Sequence, residues 1–126
     1  MKDVVLDAGA LIALERGKRE VRALVLLAER GVVTLTTSSA AVAQVWRSGA
    51  RQARLARFLA SDLVVESPLD PAASRNIGVL ASTTGGSDVV DGHVALLALE
   101  RAAVVVTSDP ADLVVWGVDP RNIVRC

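Results

Sequence analysis

Short runs of Val, Leu and Ile alternate along the chain with longer stretches in which apolar residues recur every third or fourth position. Val4-Val5-Leu6 reads as a first strand ending at Asp7. A carboxylate there can accept the free amides of a first helical turn, so a helix is expected from Asp7 to about Arg16, with Gly17 ending it. Val21, Leu24, Val25 and Ala28 predict a second helix over Lys18–Arg30, stopped by Gly31. Val32–Thr36 reads as strand two. Ser38 or Ser39 then caps a helix to about Trp46, and Gly49 interrupts before another helix that ends near Ala60. Leu63–Val65 is a short third strand. Pro68 and Pro71 precede a helix over Ala72–Ser82, and residues 83–87 form a loop. A helix follows from Asp88 or its neighbour to Arg101, then strand four over Ala103–Thr107. Pro110 fits the first turn of a short helix, and Asn122–Arg125 makes a last small strand.

Strands that alternate with helices predict an α/β domain, with a mainly parallel sheet joined by right-handed crossovers. In such sheets ligands bind beyond the carboxyl ends of the strands. Asp7 and Asp109 both fall directly after strands, at that end.

Composition supports this reading. A chain of 126 residues is expected to form one domain, here residues 1–126. Its hydrophobic fraction is 52% with a single Phe, so the core must be aliphatic, which suits buried parallel strands. Cys126 is the only cysteine, which excludes an internal disulfide and a Cys-rich zinc site and fits a reducing, cytoplasmic setting. The start, Met-Lys-Asp, does not read as a signal peptide, and no apolar run approaches the ~20 residues of a membrane helix.

The formal net charge is zero, but it is unevenly spread. Residues 1–60 carry ten Lys+Arg against five Asp+Glu, and residues 61–126 carry four against nine. From Arg30 to Ala60 there are five arginines and no acid. Such asymmetry bears on partners rather than fold. Basic and acidic halves side by side suit an enzyme that grips a phosphate backbone with arginines and a cation with carboxylates.

Five acids are placed to do the latter. Asp7 follows strand one. Asp88 and Asp91 share a face at a helix start, and Asp109 and Asp112 repeat that spacing after strand four. Each taken singly is better served by a helix-capping role. Together they suggest a common rim. Two charges ~4 Å apart repel by about 4 kcal/mol at an effective dielectric of 20, so convergent carboxylates call for a cation or raised pKa values. Oxygen ligands without a His/Cys set favour Mg²⁺ or Mn²⁺ over Zn²⁺.

Four segments resemble the PIN-domain family: residues 5–11 (VLDAGAL), 42–47 (VAQVWR), 88–95 (DVVDGHVA) and 106–113 (VTSDPADL). Within it the chain is most similar to the VapC-type toxins of bacterial toxin–antitoxin pairs. The resemblance implies a three-layer α/β/α domain around a mainly parallel sheet of about five strands. It further implies Mg²⁺- or Mn²⁺-dependent endoribonuclease activity on an RNA substrate, a cognate antitoxin protein as inhibitor, and a homodimer. Asp7, Asp91 and Asp109 match the family's first, third and fourth acids and are the expected catalytic residues. With Asp88 and Asp112 as supporting acids, they make up the expected metal site.

One position departs from the pattern. The family's second acid is usually a glutamate on the helix after strand two, and Gln44 stands there. It can line the site but brings no charge. The alternative function is therefore a PIN-like RNA- or protein-binding domain with weak or no nuclease activity. A phosphatase using Asp7 as nucleophile is a poorer fit, because Gly9 replaces the expected second acid and no lysine follows Lys18.

Arg47, Arg51, Arg54 and Arg57 would line one helix face if the helix continued through Gly49, giving either a solvated face or RNA-phosphate contacts. His93, the only histidine, is assigned no role, and no nucleophile-elbow sequence accompanies it.

Overall fold

The computed structural model describes residues 2–126. Strand β1 (Lys2–Leu6) leads into α1 (Ala8–Glu15) and α2 (Arg19–Glu29). Strand β2 (Val33–Ser38) is followed by α3 (Ser39–Val45) and α4 (Ala53–Ala60), and β3 (Val64–Ser67) by α5 (Pro71–Thr84) and α6 (Val89–Arg101). Strand β4 (Val104–Thr107), the short α7 (Pro110–Val114), a 3₁₀ turn (Pro120–Asn122) and β5 (Ile123–Arg125) complete the chain.

The five strands form one sheet in the order β3-β2-β1-β4-β5, and every pair is parallel. The order reverses direction at β1, because the chain moves outward through β2 and β3 and then returns past β1 to β4. Right-handed crossovers place α1, α2 and α4 on one face of the sheet and α5, α6 and α7 on the other. This is the expected three-layer α/β/α arrangement around five strands. Val5, Leu6 and Val105 of the central strands are fully enclosed, as a parallel sheet covered on both faces requires.

Local chemistry sets the helix boundaries. Asp7 caps α1 by accepting from the Ala10 amide at 2.9 Å, and Ser38 caps α3 through the Ala40 and Ala41 amides. Asp70 caps α5 and Asp88 caps α6, each through the amide three residues on. Gly85 ends α5 with φ +80°, a left-handed conformation that a residue with a Cβ adopts only at a cost.

The linker between α3 and α4 bears out the interruption expected near Gly49, so the condition for a continuous arginine face is not met. Helix α3 stops at Val45, and the next helical residue is Ala53. The buried side chain of Gln52 holds the intervening loop. Its Oε1 accepts from the Arg47 and Ser48 amides at 2.6 and 3.0 Å, while its Nε2 donates to the Val45 carbonyl at 2.8 Å and to Glu15 at 3.0 Å. Arg47 and Arg51 consequently lie on the loop, and only Arg54 and Arg57 lie on α4.

Candidate functional site

Strands β1, β2 and β4 end together, and the residues that follow them form the carboxyl rim of the sheet. Asp7 leaves β1, with its amide bonded to the Val106 carbonyl of β4 at 3.3 Å. Its carboxylate is buried. Gly9, in the first turn of α1, lies so close to the β4–α7 connection that a Cβ there would meet the Ser108 backbone nitrogen at 3.0 Å. Glycine thus lets Asp7 and Asp109 share the rim.

The acids sense one another. Loss of hydration raises the Asp91 carboxyl to about 6, helped by the charges of Asp88, Asp112, Asp7 and Asp109. Burial likewise raises Asp7, against the lowering effect of hydrogen bonds from Thr107 and from the Ala10 and Gly9 amides, with Asp112 adding to the rise. All five predicted acids therefore lie on the same rim and within reach of each other's fields.

They do not converge on a point, which corrects the expectation of a Mg²⁺ or Mn²⁺ site. Among the described residues, no group of three or more His, Cys, Asp or Glu side chains is placed to hold a metal ion. A magnesium ion demands oxygen ligands at ~2.0–2.1 Å in near-octahedral order. The carboxylates serve other ends. Asp7 and Asp88 are engaged as helix caps, and Asp109 and Asp112 are exposed. Gln44, which the resemblance sets where a glutamate is usual, is exposed on α3. The same finding overturns the main functional expectation, a metal-dependent endoribonuclease working through this rim, because among the described residues no donor set is placed to carry the ion that would activate water.

The family's sequence profile for the PIN domain matches residues 4–112. The chain belongs to the PIN-domain family. No curated protein matches the sequence. Among solved structures, VapBC2 from Rickettsia felis bound to a DNA fragment from its promoter superposes with a TM-score of 0.68 at 16% identity, over 98% of this chain and 96% of that one. FitAB bound to an IR36 DNA fragment gives 0.61 at 17% identity, over 97% and 94%. FitAcB from Neisseria gonorrhoeae gives 0.55 at 20% identity, over 94% and 98%. At such identities the likeness is one of fold.

This PIN domain also carries features beyond the acidic rim. A groove of about 420 Å³ runs between α1, α2, α4 and the start of β3. Leu14, Val25, Leu26 and Phe58 contribute its apolar lining, and Arg22, Arg54 and Arg57 surround it with a single acid, Glu29. The second feature is internal: Ser38 Oγ lies 2.6 Å from His93 Nδ1. Both residues are buried. Sequence reading missed this pair, since His93 shows no pattern with Ser38 until α6 crosses the end of β2. It also missed the groove, whose lining comes from helices far apart in the chain.

Proposed function

We propose that this chain is a PIN-like binding domain with weak or no nuclease activity, and that its main ligand is a small cognate protein of the antitoxin kind. The observation that carries the reading is the acidic rim itself: burial and the charges of four neighbouring acids raise the Asp91 pKa, yet among the described residues no three side chains are placed to share an ion.

The groove supports a protein partner. Its apolar floor and arginine-rich surround suit an amphipathic helix with acidic residues along its polar edge. Leu26, at 52% exposure, offers uncovered apolar surface in the groove. The relatives with known structure, VapBC2, FitAB and FitAcB, are described by the names of two-component assemblies, two of them on DNA fragments, and this favours the same kind of assembly here. One domain over residues 1–126, a VapC-type role, a homodimer and a cytoplasmic location complete the reading. No helix among the described residues is long and apolar enough to cross a membrane. RNA contact through Arg47, Arg51, Arg54 and Arg57 is the lesser possibility, because the loop divides these residues and two of them line the protein groove.

The test joins two assays. Purified protein is incubated with unstructured and hairpin RNA under a Mg²⁺ or Mn²⁺ titration, alongside Asp7→Ala and Gln44→Glu. The adjacent genes are also sequenced, and any small open reading frame found there is co-expressed with it. Cleavage at the level of Asp7→Ala, with a stable complex in co-purification, is the expected result. Strong metal-dependent cleavage lost in Asp7→Ala would overturn the weak-nuclease reading, and failure to form any complex would overturn the partner.

A further inference from the structure

A second cavity, of about 210 Å³, lies beyond the end of β3 between the starts of α5 and the middle and end of α6. Asp70, Asn76, His93 and Glu100 line it together with Ser67, and no Lys or Arg does. Leu96, Leu97 and Pro68 supply apolar wall. Carboxylates alone would not make a site. The deciding group is His93, which is 1% exposed and nevertheless forms part of the lining.

The hydrogen bonds of His93 show which edge it presents. Its Nδ1 is held by Ser38 Oγ at 2.6 Å. Ser38 Oγ already accepts from the Ala40 and Ala41 amides at 3.0 and 3.3 Å. A hydroxyl has two acceptor lone pairs and one proton, so the remaining proton is directed to Nδ1. The neutral imidazole then carries its own proton on Nε2. Among the described residues Nε2 has no hydrogen-bond partner, and no fully enclosed side-chain nitrogen or oxygen lacks one. Nε2–H is therefore the edge of His93 that meets the cavity.

The cavity thus presents one buried donor beside two carboxylates. Single-atom cations are a poor match, since the acids and the imidazole do not form a chelating group. A bare anion would be repelled by Asp70 and Glu100. The complementary ligand has several N–H donors with positive charge and, close by, one acceptor oxygen. We propose that this cavity binds a primary ammonium group with a carbonyl one carbon away, the chemistry shared by a peptide N-terminus and a free amino-acid amide. The ammonium faces Asp70 and Glu100, and the carbonyl accepts from His93 Nε2–H. The volume has room for about one small residue, since a water occupies ≈30 Å³ of liquid.

The inference is independent of the proposed partner groove, which lies on the opposite face of the sheet, and its test leaves that groove untouched. Full-length protein labelled with ¹⁵N is titrated with L-alaninamide, N-acetyl-L-alaninamide, guanosine, and a short peptide with a free or acetylated N-terminus. The expected result is a saturable shift of the His93 ring ¹⁵N and Nε2–H signals with L-alaninamide. N-acetylation should weaken this at least tenfold. Glu100→Gln and Asp70→Asn should each weaken it severalfold. Asn at 70 retains the cap to Ala73, so a folded variant is available, and the amide spectrum verifies it. If the free-N-terminal peptide binds more tightly than the amide, the natural source is a protein terminus, and if less tightly it is a small amino compound. Equal binding of acetylated and free ligands, no shift at His93, or a shift with guanosine alone would overturn the proposal.

Discussion

The Trp116 indole fills the space that a side chain at Gly92 would occupy: a Cβ at Gly92 would stand 2.7 Å from Cη2 and 2.9 Å from Cζ2. Trp116 itself is 2% exposed. It belongs to the turn after α7, while Gly92 lies in the first turns of α6 beside Asp91. This contact locks the two acidic segments, 88–91 and 109–112, into one relative position. The rim therefore depends on a packing contact as much as on its own charges.

Gly92→Ala accordingly incurs about 1–3 kcal/mol, the usual cost of overpacking a well-filled site. The helix-propensity gain of Ala over Gly, about 1 kcal/mol, works against this and leaves an expected net destabilisation of up to about 2 kcal/mol. Trp116→Ala leaves a cavity and should cost about 3–5 kcal/mol. Denaturant unfolding of both variants measures these. A Gly92→Ala protein more stable than wild type would show that Trp116 can move aside without loss.

Asp91 predicts a pH dependence. Burial first, and then the neighbouring acids, raise its carboxyl from 3.8 to about 6. Between those values the folded protein holds a proton that the unfolded chain has released. The contribution of Asp91 to stability is thus largest below pH ~4, falls as pH rises toward ~6, and is level above that. Asp7 is raised as well and acts in the same direction. Asp91→Asn removes the burden of an ionised, crowded carboxylate. It should stabilise the protein at pH 7.5 by about 1–2 kcal/mol, less than the full shift implies because water screens a partly exposed group. At pH 3.5 it should make little difference. Equal unfolding midpoints for wild type and variant at both pH values would remove the crowded rim from the account.

The strand and helix succession was legible because parallel strands are apolar throughout and amphipathic helices repeat every third or fourth residue. The capping roles of Asp7 and Asp88 followed from polar residues at element boundaries. The convergence of the acids did not follow: sequence spacing places Asp7, Asp91 and Asp109 at one end of the sheet, but ångström-scale coordination depends on rotamers and cap bonds that spacing does not encode. The interruption near Gly49 was legible too, whereas the loop that separates Arg47 and Arg51 from α4 is held by Gln52, a polar residue with no signature of burial in its sequence context.

Gln52 supplies the third prediction. Its side chain satisfies two amides and one carbonyl of the α3–α4 loop, and it reaches across to Glu15 on α1. Gln52→Ala leaves those backbone groups without their partner and should cost about 1–3 kcal/mol. Gln52→Glu keeps the acceptor for Arg47 and Ser48 but cannot donate to the Val45 carbonyl, and it sets a second carboxylate against Glu15. It should therefore be no better than Ala near pH 7 and improve as the pH falls far enough to protonate it. Hydrogen exchange should show the Arg47 and Ser48 amides losing protection in both variants. Unchanged exchange there would mean that other groups hold the loop.

The proposed partner groove separates two kinds of contribution, and mutants can tell them apart. Arg22, Arg54 and Arg57 surround an apolar floor, with Glu29 as the only acid. Charges around an interface act chiefly on association rate and salt dependence, whereas apolar anchors at its centre act on dissociation. Arg57→Ala should therefore slow association with the acidic partner helix and reduce the decline in affinity as salt rises. Arg54 is a less clean choice, because its guanidinium also donates to the Glu15 carbonyl at 3.1 Å. Leu26→Ser removes an apolar side chain that is 52% exposed in the free protein, so its cost to folding is small. If Leu26 is an anchor, binding should weaken by at least ~1 kcal/mol, about fivefold, through faster dissociation. Surface plasmon resonance at two salt concentrations reads both effects on one partner. Loss of binding in neither variant, with the folded spectrum intact, would place the partner on another face of the domain. A Leu26→Ser effect without any change of salt dependence in Arg57→Ala would keep the groove but remove the acidic character assigned to its occupant.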